Sequence, residues 1–143
     1  MIDQSNLWGA QDALLKALEK EADLDVGGAG EVALGLGFPA DIEREHVWIG
    51  GDAEGELEAD LTGRRPSEET FRMHLFVFAQ AADYETARSR IQTLGAACES
   101  ALASEGFAAV VPSWRIPQYR VDAGTDGSNS QLCLELIVEC RCW

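Results

Sequence analysis

Five acids alternate along one stretch of this 143-residue chain: Asp52, Glu54, Glu56, Glu58 and Asp60, separated by Ala53, Gly55, Leu57 and Ala59. Clustered carboxylates are the raw material of a calcium site. Setting Asp52, Glu54 and Glu56 on the first three ligands of an EF-hand loop puts Leu57 where glycine is required. It also puts Gly63 where the closing bidentate glutamate belongs. Period two predicts instead an extended arm, about residues 52–63, with all five acids on one face and the small apolar residues on the other. A glycosidase pair needs two carboxylates in contrasting environments, and no such pair is marked. Gly27-Gly28-Ala29-Gly30 lacks the Lys-Ser/Thr of a phosphate loop. Gly28-x-Gly30 also lacks the third glycine of a dinucleotide fingerprint, and it follows a helical pattern rather than a strand. The two histidines, His46 and His74, have no evident nucleophile partner, and no G-x-S-x-G turn is present. Cys98, Cys133, Cys140 and Cys142 include no C-x-x-C, and Cys140-x-Cys142 has no second chelating pair. They are expected to be reduced, structural thiols. The chain is expected not to be an enzyme and to use no cofactor and no metal.

Charge and composition narrow the remaining classes. Eleven basic residues against 25 acidic ones give a net charge of −14, unevenly spread. Residues 1–63 hold 3 basic and 15 acidic residues, and residues 64–143 hold 8 and 10. Without a basic stripe, neither nucleic-acid binding nor adhesion to an anionic membrane is expected. Apolar residues make up 46% of the chain, enough for one domain spanning 1–143 to build a core. Met1-Ile2-Asp3-Gln4 has neither the basic nor the apolar region of a signal peptide. No run of apolar residues is long enough for a spanning helix. A soluble chain made in the cytoplasm is expected.

The elements that must position these residues follow from periodicity. Leu7, Leu14 and Leu18, widened by Leu15 and Ala22, predict a helix over roughly 5–22 that the glycines at 27–30 stop. Residues 31–45 read as a loop punctuated by Phe38-Pro39, with a short strand near 32–36. His46-Val47-Trp48-Ile49, ended by Gly50-Gly51, is a strand leading into the acidic arm. In the next strand, 69–80, Phe71, Met73, Leu75, Val77 and Ala79 share one face, and Arg72, His74, Phe76 and Phe78 share the other. Asp83 caps a helix whose stripe is Tyr84, Ala87, Ile91, Leu94, Cys98, Ala101 and Leu102. Gly106 suits the left-handed position after it, with Phe107 packing back on Leu102. Pro112 and Pro117 make 110–122 an edge or bulged strand. After a polar turn at 124–130, a last strand puts Leu132, Leu134, Leu136, Val138, Cys140 and Cys142 on one face. The expected fold class is α+β, a mainly antiparallel four-stranded sheet with two helices on one face, in the order α-β-β-α-β-β. Trp48, Trp114, Tyr119, Trp143, Phe76 and Phe78 fall mostly on strands, several opposite the helix-covered face, which fits either a protein–protein contact surface or a second small cluster with incidental exposure.

Taken in order, these features resemble the tail terminator (tail completion) proteins of long-tailed, non-contractile phages. The likeness rests on the N-terminal helix and on residues 47–56, VWIGGDAEGE, running into the acidic arm. It continues through 69–78, ETFRMHLFVF, a helix opening at 83–87, DYETA, and two long C-terminal strands. The glycine-rich stretch 27–37 and the terminal Cys140-Arg141-Cys142-Trp143 depart from the family pattern. The resemblance implies a homo-hexameric ring on the head-proximal end of the tail tube, located in the virion and assembled in the host cytoplasm. Its implied partners are further copies of itself, the tail tube protein and a head-closure or neck protein. DNA would pass through the lumen without specific binding, and an acidic lining would let it slide. Ring closure needs a heterologous interface between two different patches. The acidic arm is expected to meet a basic surface carrying Arg64, Arg65, Arg72 or Arg115, with Phe76, Phe78, Trp114 and Tyr119 as further interface residues. The alternatives are another neck component, such as a head-tail connector, and a small acidic DNA-mimic inhibitor.

Overall fold

The computed structural model describes residues 5–59 and 66–143, the side chains of 57–59 and 66–67 excepted. Its strands are β1 (Ala33–Leu36), β2 (Glu45–Ala59), β3 (Pro66–Ala81), β4 (Ser113–Asp126) and β5 (Asn129–Cys142). Its α-helices are α1 (Leu7–Glu19), α2 (Tyr84–Leu102) and the single turn α3 (Glu105–Ala108), with a 3-10 turn at Ala22–Leu24. The sheet has five strands in the order β1-β2-β3-β5-β4. All neighbours are antiparallel except β1 and β2, which are parallel.

This corrects the expected four-stranded antiparallel sheet with two helices. The short strand near 32–36 joins the sheet as a parallel edge. Parallel neighbours normally need a crossover of a dozen residues or more. Here β1 has only four residues, about 13 Å, so the eight residues 37–44 suffice to bring the chain back. The third helix arises because Ser104 starts a new turn, its Oγ accepting from the Phe107 N–H at 3.3 Å. Gly106 therefore lies inside α3 and not in a left-handed cap, and α2 ends on Ala103 with right-handed backbone. The first helix also stops earlier than the glycines suggested, at Glu19.

The core lies between the helices and one sheet face. Phe71, Met73, Leu75 and Val77 of β3 and Val138 and Cys140 of β5 face Leu14 and Leu18 of α1 and Leu94, Cys98 and Leu102 of α2, all buried. Asp83 caps α2, its Oδ1 accepting from the Thr86 N–H at 2.8 Å; this bond holds its carboxyl below its ordinary pKa. Arg90 ties α2 to the start of β2 through two bonds to Glu45, at 2.5 and 2.9 Å. All four thiols are free, and burial raises them, Cys98 and Cys140 to about 12 and Cys133 and Cys142 to about 11. They are therefore protonated and unreactive near neutrality.

Two bulges decide which side chains share a face. In β2, Ile49 pairs with Leu75 and Ala53 with Met73, so residues 50–52 sit opposite His74 alone. The excess is two residues, parity is preserved, and Asp52, Glu54 and Glu56 remain on the face of Trp48. In β4, Arg115 pairs with Glu139 and Gln118 with Ile137, an excess of one residue around Pro117. Parity flips there, so Tyr119 leaves the face that carries Arg115. Gly127, at φ 62°, closes the β4–β5 hairpin in a two-residue turn; with Ser128 at negative φ, the turn is of the II′ kind.

His46 gives the fold a pH dependence. It is 6% exposed, and its Nδ1 accepts from the Glu43 N–H at 3.1 Å, which requires the neutral ring. Burial lowers its pKa below 6.5, partly offset by Glu43. The unfolded chain therefore takes up the proton first. Stability from this group is complete above about pH 6.5 and is lost as pH falls toward the folded value. Urea midpoints at pH 7.5 and 5.5 should fall further for the wild type than for His46→Asn, whose amide oxygen replaces Nδ1. Equal falls would assign the effect elsewhere.

Candidate functional site

The open face of the sheet, opposite the helices, collects most of the residues singled out above. Its first feature is a row of alternating charge crossing four strands. Glu54 of β2 pairs in register with Arg72 of β3, Arg72 with Glu139 of β5, and Glu139 with Arg115 of β4. Glu139 accepts from Arg115 Nε at 2.8 Å and from Arg72 at 3.1 and 3.2 Å. Arg115 first, and Arg72 second, hold its carboxyl below its ordinary pKa. Both arginines thus have a partner within the chain while their side chains stay 69% and 43% exposed. Arg141 makes a similar bond to Glu68 one row on.

The second feature is an aromatic cluster below this row. Trp48 stacks on Phe76 at 5.2 Å and 11°, with Phe38 and His46 edge-on at 5.8 and 5.4 Å. Trp48, Phe76 and Phe38, with Gly50, Gly51, Asp52, His74 and Glu135, line a depression of about 230 Å³. His74 Nδ1 and Glu135 Oε2 are 3.0 Å apart across the strands. Trp48 is only 2% exposed, yet its indole N–H finds no acceptor among the described residues. A buried donor left unpaired costs of order 1–3 kcal/mol.

Asp52, Glu54 and Glu56 are exposed on this open face, as the period-two pattern requires. The backbone of Glu58 continues β2 opposite Glu68, while Asp60, Arg64 and Arg65 lie outside the described residues. Phe76 and Phe78 are half-buried on the open face. Trp114 and Tyr119 are not part of it: Trp114 packs against the main core, and Tyr119 is 70% exposed on the helix side. Two residues escaped the sequence reading. Glu139 joins the two arginines, and its alternation with Glu135 was the available signal. Glu69, buried on the helix face of β3, accepts from the Asn6 N–H at 2.6 Å, from Asn6 Nδ2 at 3.1 Å and from the Ser5 hydroxyl. It caps α1 from across the core, since the Asn6 side chain does not.

Among the described residues, no three His, Cys, Asp or Glu side chains converge as a metal site, and no helix is long and apolar enough to cross a membrane. No protein-family model and no curated protein sequence matches the chain. Its fold is similar to that of a chain in the solved virion of the native gene transfer agent (GTA) particle. The TM-score is 0.55 with 19% identity, and the match covers 92% of each chain. At that identity the likeness is one of fold, and it runs nearly end to end.

Proposed function

We propose that this chain is a structural subunit of a phage-like virion: one member of a ring that caps the head-proximal end of the tail tube, stops tube growth and joins tail to head. It acts by fitting surfaces together and catalyses nothing. The observation that carries this reading is the open face itself, where the row Glu54, Arg72, Glu139 and Arg115 faces outward beside the aromatic depression of Phe38, Trp48 and Phe76. Such a face suits a stable contact with another protein better than contact with water. The end-to-end likeness of fold to a virion chain supports the same class. So does the resemblance of residues 47–56 and 69–78 to tail terminators.

The arm has a defined part in this reading. Asp52, Glu54, Glu56, Glu58 and Asp60 meet a basic surface on a neighbouring subunit or on the tube protein. Arg72 and Arg115 already share Glu139 within their own chain, so a neighbour's acid would compete for them or engage Arg64 and Arg65. DNA crosses the lumen without a grip, repelled by rings of chains carrying −14 each. Changing the five acids together to Asn and Gln should abolish tube capping, read as overlong tubes by electron microscopy, while the circular dichroism of the isolated chain stays unchanged. Normal capping by this variant would remove the arm from the mechanism.

A further inference from the structure

The two free edges of the sheet are complementary. Tracing the register across it, Leu36 aligns with Ile49, Leu75, Leu136 and Tyr119, and Leu34 aligns with Val47, Val77, Leu134 and Val121. The same tracing puts Gly35 in the row of Arg120 and Ala33 in the row of Asp122. So β1 on one edge and residues 119–122 of β4 on the other occupy the same four rows.

The β4 edge is also unguarded there. Natural edges are blunted by proline, lysine or bulges. Pro117 and its bulge protect the first half of β4, but from Gln118 to Asp126 the register is unbroken, with neither proline nor lysine. That half exposes Tyr119 (70%) and Val121 (50%) on the helix side. An unpaired, bulge-free edge of this length, whose Arg120 and Asp122 pair with each other, is a template for another strand.

We infer that the strand it receives is β1 of a second copy, with Tyr119 opposite Leu36 and Val121 opposite Leu34. Two observations select this occupant. The polarity is right: β1 runs parallel to β2, and three antiparallel steps separate β2 from β4, so β4 against a neighbour's β1 is antiparallel. The faces match as well. Leu34 packs against the core and Leu36 is 50% exposed, on the same helix side as Val121 and Tyr119. Opposite Arg120 stands Gly35, where an added Cβ would meet nothing within 4 Å.

This inference rests on the ring reading and names the surfaces that close the ring. Because both edges sit in the same rows, the contact repeats head to tail without a step along the strands, as a closed ring requires. Cysteines at directly opposed antiparallel positions come close enough to bond. Leu36→Cys and Tyr119→Cys should each fail to cross-link alone beyond the wild-type background. Mixed under mild oxidation they should give dimers, and the double variant a ladder up to the closed ring. Tyr119→Lys with Val121→Lys should abolish assembly without moving the urea midpoint. Cross-linking of Tyr119→Cys with itself would overturn the pairing, and so would rings that persist in the double-lysine variant. Rings seen by electron microscopy without the mixed cross-link would overturn the pairing and leave the ring reading standing. A wild-type chain that stays monomeric at every concentration and with isolated tubes would overturn both.

Discussion

Phe71→Ala is expected to lower stability by about 3–5 kcal/mol, a large fraction of what a domain of this size has. Phe71 is 1% exposed and lies in register between Gly55 of β2 and Cys140 of β5. It is among the largest fully buried side chains. The urea midpoint should fall with little change in slope, because the unfolded chain exposes nearly the same surface. The change should also loosen the base of the acidic arm. A Cβ on Gly55 would stand 2.6 Å from the Phe71 Cβ and 2.9 Å from the Thr70 carbonyl oxygen. Those atoms belong to the strand and to the root of a side chain, so they cannot move aside cheaply. Gly55→Ala should cost about 1–3 kcal/mol for that reason. An ordinary gain from replacing glycine by alanine would show that β2 and β3 are not so close here.

The second large effect concerns Glu69. Its carboxylate receives three bonds from Ser5 and Asn6 at the start of α1, where a helix favours negative charge. Glu69→Ala should cost about 2–3 kcal/mol, since bonds to a charged group are worth about that and the N-terminal amides lose their acceptor. Glu69→Gln should recover roughly half, keeping an acceptor but not the charge. Hydrogen exchange should localise the loss to the first turn of α1, with α2 protected as before. A loss spread evenly over both helices would mean that Glu69 acts only by filling space.

Much of this arrangement was legible in the residues. The alternation of β3 and β5 named both faces correctly, because each strand buries one face against helices and period two survives that burial. Asp83 was legible because capping is local. Asp52, Glu54 and Glu56 kept their face through the Gly50-Gly51 bulge only because its excess is even. At Pro117 the excess is odd, and counting by twos from Arg115 puts Tyr119 on the wrong face. The proline signalled an irregularity without its size. β1 stayed out of the expected sheet because four residues with two leucines carry little signal, and its place depends on β2. Glu69 was hidden for another reason: a buried acid on an apolar face is explained only by the helix end it meets, 63 residues earlier.

The central claim is that the chain ends tube growth at the head-proximal end of a tail. Electron microscopy of particles assembled with this gene deleted tests it most directly. Tubes of uncontrolled, excessive length, detached from heads and returned to normal length by adding the purified chain, are the predicted result. Tails of normal length beside unjoined heads would contradict it and make the chain a connector. Intact particles would remove it from assembly altogether.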